Sequence, residues 1–447
     1  MPLPRAILAT LISVTVLAGV GTVPSSAADT WGSTTFEVDR VQIGGSGSGV
    51  RFSRILQRLN GRNVRAFVLE IAPFGNPARI DVGAGGTKLP ISQKLSTMGL
   101  AHGAIASINA DFGIKRPDHV FIEDGKVWSS GLRNGGTIFG VRKDETRAFI
   151  DRPKTAIDLH VGAKVRPIEA WNAAKPGAGE ITAYSFEGGN PSPPPGNACS
   201  VLLRDPTAPA WTTNQRQIKR RYTVEARRCG SAMASPSGAK VVLASKQRGA
   251  GARVLKGLSA GNRVTLQWGT SARGAIDVVG GRQQLLEAGA LGQVTCDPDV
   301  NRDLCSANPR SGAVVNRACA QGPASECRVF LVVVDGRQGE WSSGFTLKQF
   351  GTFLRRTRFD HSGDAARKTW NAINFDGGGS AEMWLKKVSG VTSSMCGSSR
   401  ANLNTSGWCT ANRPSTNGSV LEERGSENAV LVKTGTDSHP NPEPGGL

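Results

Sequence analysis

Residues 64–71 (VRAFVLEI) alternate apolar and polar positions as a strand with one buried face does. Residues 104–108 (AIASI) form a shorter, largely apolar run suited to a more buried strand, and a helix over 92–98 is expected to join the two. Farther along, residues 264–268, 329–334 and 372–375 read as the clearest strands, and 347–356 has helical spacing behind the N-cap residue Thr346. Strands and helices mix without strict alternation, which predicts an α+β fold: one large mixed-sheet domain with disulfide-stapled insertions.

Breaks in the pattern set the boundaries. A basic start at Arg5, an apolar run over 6–23 and the small residues Ser25, Ser26, Ala27 and Ala28 read as a secretion signal over 1–28. Residues 30–42 look like a strand-like lead-in, and 44–49 (GGSGSG) like a flexible linker, so 29–62 is set apart and the domain is expected over 63–434. Within it, 190–196 (NPSPPPG) cannot donate to a sheet ladder and marks a surface loop, and the basic, polar stretch after it, to 252, reads as a decorated insertion. The tail, 435–447, is disordered by composition. No later segment is long and apolar enough to span a bilayer, so no stable membrane insertion is expected once the signal is removed.

Export implies an oxidising compartment, and the eight cysteines fit it. Sequence neighbours suggest Cys199 with Cys229, Cys296 with Cys305, Cys319 with Cys327, and Cys396 with Cys409. The wide spacings and the lack of nearby histidines argue against zinc. A net charge of +19 invites a nucleic-acid reading. An exported chain, however, meets anionic wall polymers first, and its basic residues are scattered apart from Lys219, Arg220 and Arg221 with Arg227 and Arg228. A secreted or wall-associated protein with no nucleic-acid partner is therefore expected, and the sequence assigns no oligomeric state.

The strongest chemical signal is the apolar run 332–334 entering Asp335, Gly336 and Arg337. A strand end holds side chains in place, an arginine there offers a rigid fork for phosphate, and the aspartate could be a base or a metal ligand. The competing reading is an Asp-Gly turn with a structural ion pair. A second copy of the geometry weakens that alternative: 372–375 leads into Asp376, Gly377, Gly378, Gly379 and Ser380, where successive N–H groups could form an anion nest. Two further acids follow strands, Asp111 in Asn109, Ala110, Asp111, Phe112, and Asp124 before Gly125. Gly257 to Gly261 fits GxSxG but leads into a strand, so it is a turn and no nucleophile elbow. The five histidines are dispersed, as surface or core polar residues. Asp297, Asp299, Asn301 and Asp303 place oxygens as the opening of a calcium loop does, although Arg302 stands where the glycine belongs.

Taken in order, these motifs resemble the phosphodiester glycosidase family over most of the mature chain, from about residue 63 to 432. The strand-Asn block resembles 105–112, with Gly113 in place of a second aromatic, and the following turn resembles Asp124 and Gly125. Gly280, Gly281, Leu286 and Gly289 match a glycine-rich segment, and 309–312 a Pro-Arg-Thr-Ala block. DGR at 335–337 is followed by Ser342, Gly344, Thr346 and Leu347, then DGGGS at 376–380, with Ala381 and Glu382 in place of small hydroxyl residues. Arg413, Pro414, Ser415, Glu423, Arg424 and 428–432 match the closing block.

The resemblance implies a hydrolase acting on a sugar joined through its anomeric oxygen to a phosphodiester, on a phosphorylated glycan or similar substrate. Arg310 and Arg337, with the amides around Gly377, Gly378 and Gly379, are expected to hold the phosphate. Asp335, Asp376 or Asp124 would activate water or stabilise the sugar cation, with Asn109, Asp111, Gly336 and Ser380 lining the substrate. A carboxylate-bound Ca²⁺ or Mg²⁺ could assist. The alternatives are a non-catalytic basic module for phosphate-bearing wall glycans and a glycosidase for uncharged glycans.

Overall fold

The strand Val329–Val334 is buried at every position, and the sheet explains why: it lies in the interior of eight strands with a covered face on either side. The order is Trp31–Ile43, Val50–Leu59, Arg62–Ile71, Val329–Val334, Arg310–Asn316, Thr369–Asn374, Gln283–Glu287, Ala290–Leu291, and the pairings are antiparallel. A second sheet runs Trp408–Thr410, Met383–Lys386, Ala106–Asn109, Asn428–Thr434, Ala78–Ala84. The computed structural model describes residues 28–73, 75–113, 116–130, 136–142, 147–152, 156–172, 176–189, 198–205, 211–214, 217–269, 275–294, 302–359, 368–397, 403–416, 419–420 and 423–435.

The two sheets bury their facing sides together. Phe52, Phe67, Leu331 and Val333 of the first pack with Ile80, Ile108, Leu385 and Val430 of the second. On the far side of the first sheet, Phe330, Val332 and Val314 meet Leu347, Phe350, Phe353 and Leu354 of the helix Leu347–Arg356. That helix begins where expected, because the Thr346 side chain caps the Gln349 N–H while Gln349 returns a bond to the Thr346 N–H. The second sheet is covered by Leu95 and Met98 of the helix Leu95–Ala101, which starts three residues later than its spacing predicts. The centre is thus helix, sheet, sheet, helix, and the α+β expectation holds.

Two expectations are corrected. Residues 44–49 turn between Trp31–Ile43 and Val50–Leu59, which pair as neighbours in the main sheet, so the glycines serve a hairpin and separate nothing. The basic stretch is no loop decoration. Ala198–Arg204, Gln217–Cys229 and Val241–Lys246 belong to a nine-stranded sheet over 156–269 that buries Leu159, Val201, Leu203, Leu243 and Leu266. Its core continues into one face of a five-stranded sheet (Val120, Ile122, Ile138, Val278), whose other face (Phe121, Phe139, Val279) joins the central core. Charges at alternate positions disguised these strands, since their polar faces read as an irregular insertion.

Three disulfides are present among the described residues, Cys199–Cys229, Cys319–Cys327 and Cys396–Cys409, as neighbour pairing suggested. Cys305 is also disulfide-bonded, while Cys296 lies outside the described residues, as do residues 1–27 of the signal expected over 1–28 and residues 436–447 of the tail expected over 435–447. No helix among the described residues is long and apolar enough to cross a membrane.

Candidate active site

Register brings the chemical residues to one edge of the paired sheets. Val334 pairs with Arg310 and Asn374 with Gly312, so the DGR turn, Arg310 and the DGGGS turn emerge side by side. In the second sheet Asn109 pairs with Ala429, Ile108 with Met383 and Asn428 with Ala84, so those ends arrive together as well. Direct bonds clip the two groups: Asp376 N–H donates to the Ala110 carbonyl (2.9 Å), and Asn109 Nδ2 (2.7 Å) and Ser311 Oγ (2.5 Å) both donate to the Asp376 carbonyl. Asn109 therefore positions the turn by its amide, with Oδ1 accepting from Glu382 N–H at 3.1 Å.

Asp376 is half-buried. Burial pushes it up to about 6, against the pull of a Ser380 hydrogen bond, its bond from Gly377 N–H and the Arg424 charge, while Asp111 close by adds to the rise. The expected anion nest does not form as an open cradle. Gly377 N–H serves the Asp376 carboxylate and Gly378 N–H donates to the Pro309 carbonyl (3.0 Å), so the turn has already enclosed its own anion. Gly378 has φ +62°, which explains a glycine there.

The two arginines have different fates. Arg310 is buried, and carbonyls surround it: Nε donates to Phe345 (3.0 Å), and Nη2 to Asp303 (2.9 Å), Ser306 (2.9 Å) and Leu304 (3.4 Å). Burial, then the Arg337 charge, lowers it to about 10. It ties the 303–306 segment to the sheet, and only its Nη1 edge points toward Gly377, so the expected clamp on phosphate is corrected to an anchor. Arg337 uses Nε on Asn308 Oδ1 (2.8 Å), while Nη1 and Nη2 stand beside Gly378, each 3.8 Å from where a Cβ would lie. That leaves a two-pronged guanidinium edge beside the glycine turn that follows Asp376.

Asp335 faces inward. Trp341 Nε1 (2.8 Å), Asn412 Nδ2 (3.1 Å) and Arg413 N–H (2.9 and 3.1 Å) converge on its carboxylate, and burial still raises it to about 7. Trp341 is in turn sandwiched by the guanidinium groups of Arg65 (3.9 Å) and Arg413 (3.7 Å). With its oxygens occupied and no exposure, Asp335 joins segments and is not aimed at a ligand. Gly336 is likewise packed against Pro309, where a Cβ would meet backbone at 2.5 Å.

Asp124, expected with the others, belongs to a separate acidic group. At a hairpin turn with φ +48°, it donates its N–H to Asp277 Oδ1 (2.8 Å), and Asp81, Asp124 and Asp277 each bring a carboxylate oxygen within 4.8 Å of the others. These three could hold a divalent cation, with Lys433 Nζ already 2.5 Å from Asp81. The calcium-loop candidates Asp297, Asp299 and Asn301 lie outside the described residues, and Asp303 turns its carbonyl to Arg310 and to Asn308 Nδ2 (2.8 Å). Glu123, beside the group, is raised to about 8 by burial and by the neighbouring carboxylates. An acid whose folded pKa is raised keeps its proton longer when folded. Its stabilising contribution is complete below its unfolded value of 4.5 and lost as pH rises to about 8. Glu123→Gln is expected to flatten that loss, read as melting temperature against pH; curves parallel to the parent's would refute the assignment.

Sequence reasoning missed four site residues. Asn412 links three segments through Asp335, the Ala381 carbonyl (2.9 Å) and Met383 N–H (2.9 Å). Glu382, noticed only as a departure from the family pattern, is a buried acid whose pKa is pushed well above the ordinary range by burial and Glu423, with Thr410 Oγ1 bonded to it at 3.0 Å. Arg424 flanks Asp376. His119, assigned to the dispersed polar set, binds the buried Asp111: its Nδ1 lies 2.6 Å from Oδ1 and its N–H donates to Oδ2 at 2.8 Å. The Glu382 departure and the match of Arg424 to the closing block gave the signal in the sequence; Asn412 and His119 gave none.

A family model described as phosphodiester glycosidase matches residues 218–433. No curated protein matches the chain significantly. Among solved structures, a hypothetical protein from Synechocystis is 14% identical with TM-score 0.58, over 89% of this chain and 64% of that one, so this chain spans less than two thirds of its length. A protein from Burkholderia pseudomallei described as exported is 17% identical with TM-score 0.53, over 83% of this chain and 74% of that one. The zebrafish N-acetylglucosamine-1-phosphodiester alpha-N-acetylglucosaminidase catalytic domain, auto-inhibited by its pro-peptide, is 13% identical with TM-score 0.41, over 90% and 88%. At these identities the likeness to the first two carries the fold alone, and that to the third carries nothing.

Proposed function

Because a phosphodiester glycosidase family model matches residues 218–433, we propose that the chain is an exported hydrolase that releases a sugar from a sugar 1-phosphodiester. One observation carries this reading: the open guanidinium edge of Arg337 and the partly exposed carboxylate of Asp376 share one turn-lined edge of the sheets. A phosphate on the arginine would set the anomeric carbon beside the carboxylate. The departing group is a phosphate monoester, which leaves readily with little protonation, so electrostatics outweighs acid catalysis. Asp376 stabilises the oxocarbenium-like centre, and Arg337 binds the oxygens that gain charge.

The test compares hydrolysis of a sugar 1-phosphodiester with that of the same glycoside lacking phosphate, with and without chelator. Preference for the phosphodiester is expected, and ¹⁸O water locates the broken bond. Asp81, Asp124 and Asp277 are the carboxylates able to hold Ca²⁺ or Mg²⁺ if the chelator arm loses activity. Arg337→Ala is expected to lower kcat/KM on the phosphodiester by about 10²-fold. An unchanged rate would remove Arg337 from the mechanism.

A second reading has its own support. Residues 156–269 contain 16 basic side chains against six acidic ones, with Lys164, Arg166, Arg221, Arg227, Arg228 and Arg263 exposed. This suits adhesion to phosphate-bearing wall glycans. Salt-sensitive binding together with no product from any sugar 1-phosphodiester would favour it over hydrolysis.

A further inference from the structure

A glycosyl transfer to water needs a group to take the proton of that water, and Asp376, beside the cation, does not have to be it. His119 is fixed by a fully buried partner. Asp111 accepts three bonds, from His119 N–H, from His119 Nδ1 and from Phe112 N–H (2.7 Å), so the aspartate oxygens hold this one ring in one orientation. Engaging Nδ1 in this way leaves Nε2 as the ring nitrogen without a bond, in a side chain that is itself buried. No described residue bonds to Nε2, and it is not among the fully enclosed polar atoms.

The location is as specific as the orientation. Gly136 and Gly280 leave room for the ring: a Cβ on Gly280 would lie 2.0 Å from the His119 Cβ, and one on Gly136 would lie 2.5 Å from its Cδ2. The next residue, Gly281, packs on the Asn374 carbonyl, where a Cβ would stand 2.5 Å away, two residues before Asp376. From the other side, Ala110 holds the Asp376 N–H, and Asp111 is near enough to raise the Asp376 carboxyl. Asn428, whose Oδ1 receives the Asp111 N–H at 2.9 Å, leaves a buried Nδ2 without a partner beside the pair. Polar capacity is therefore unfilled next to the Asp376 turn.

We propose that His119, oriented by Asp111, is the general base that activates water at this site, an inference that rests on the hydrolase reading above. Nε2 takes a proton as the water oxygen bonds to the anomeric carbon. The bond from that carbon to the phosphate oxygen breaks, and its electron pair leaves with the phosphate monoester. The imidazolium, stabilised by Asp111, then returns the proton to solvent.

The experiment uses His119→Gln and His119→Ala in the full chain, with folding checked by thermal melting. Both are expected to lose about 10²-fold in kcat with little change in KM. Azide needs no deprotonation, so it should restore turnover of His119→Ala and give the glycosyl azide, which a merely structural histidine would not allow. A variant as fast as its parent, or a slow one that azide does not rescue, overturns the assignment. So does single-turnover hydrolysis by the unmodified protein that runs equally fast in D₂O, a measurement that needs no variant to fold. An unmodified protein inert toward every sugar 1-phosphodiester defeats the hydrolase reading itself, and is seen before any variant is made.

Discussion

Asp376→Asn is expected to leave a folded protein whose turnover of a sugar 1-phosphodiester falls by about 10²-fold or more. The side chain is the one site carboxylate that is both partly exposed and followed by a turn that lies beside an unpaired guanidinium edge, so its charge is available to a developing cation. Asparagine keeps the shape and one accepting oxygen, and the Ser380 hydroxyl can rotate to accept from the amide NH₂, while the Asp376 main chain, which carries the clips to Ala110, Asn109 and Ser311, is untouched. Melting temperature should therefore stay close to the parent's. In the parent, the carboxyl raised to about 6 must lose its proton to act, so kcat/KM should climb as pH rises through that value. A folded Asp376→Asn protein with parental turnover would remove the residue from the chemistry.

Asp335→Asn should fail in the opposite way, through stability. Three groups donate to the Asp335 oxygens, and an amide presents an NH₂ where one of those donors already points. A buried donor left without an acceptor costs about 1–3 kcal/mol. Because Asn412, Arg413 and Trp341 share this hub, the loss is expected toward the upper end, lowering the melting temperature of a chain this long by roughly 2–4 °C. Any fall in activity should follow the unfolded fraction. A variant that melts like the parent but is catalytically dead would return Asp335 to the chemistry and overturn the structural role.

The contrast between these two aspartates marks how far the sequence is legible. Both follow a strand and precede glycine, and the pattern correctly placed their turns at neighbouring strand ends. Which carboxylate meets solvent depends on Trp341, Asn412 and Arg413, and the last two approach from nearly eighty residues away, a contact that no local pattern encodes. The same limit applies to Arg310. Its position at the start of a strand was legible, but the carbonyls of 303–306 and Phe345 that capture its guanidinium come from segments whose path tertiary packing decides. Helix Leu347–Arg356 was readable to the residue because its cap is local, Thr346 with Gln349. The sheet over 156–269 was legible only in part: 264–268 was read as a strand, but in Gln217–Cys229 the alternation of buried Tyr222 and Val224 with outward polar residues was lost in a run dominated by basic charge. His119 and Asp111 are eight residues apart, a spacing that has no periodic signature.

The Cys396–Cys409 bridge sits three residues before Asn412, and the strap it closes is fastened again by Gly397 N–H on the Thr410 carbonyl (3.0 Å) and by Arg413 Nε on the Gly397 carbonyl (2.8 Å). Delivery of Asn412 and Arg413 to the Asp335 hub is thereby coupled to thiol oxidation. A chain made under reducing conditions would hold its strand framework but present a slack hub, so catalytic competence should mature only after the protein reaches an environment that forms this bond.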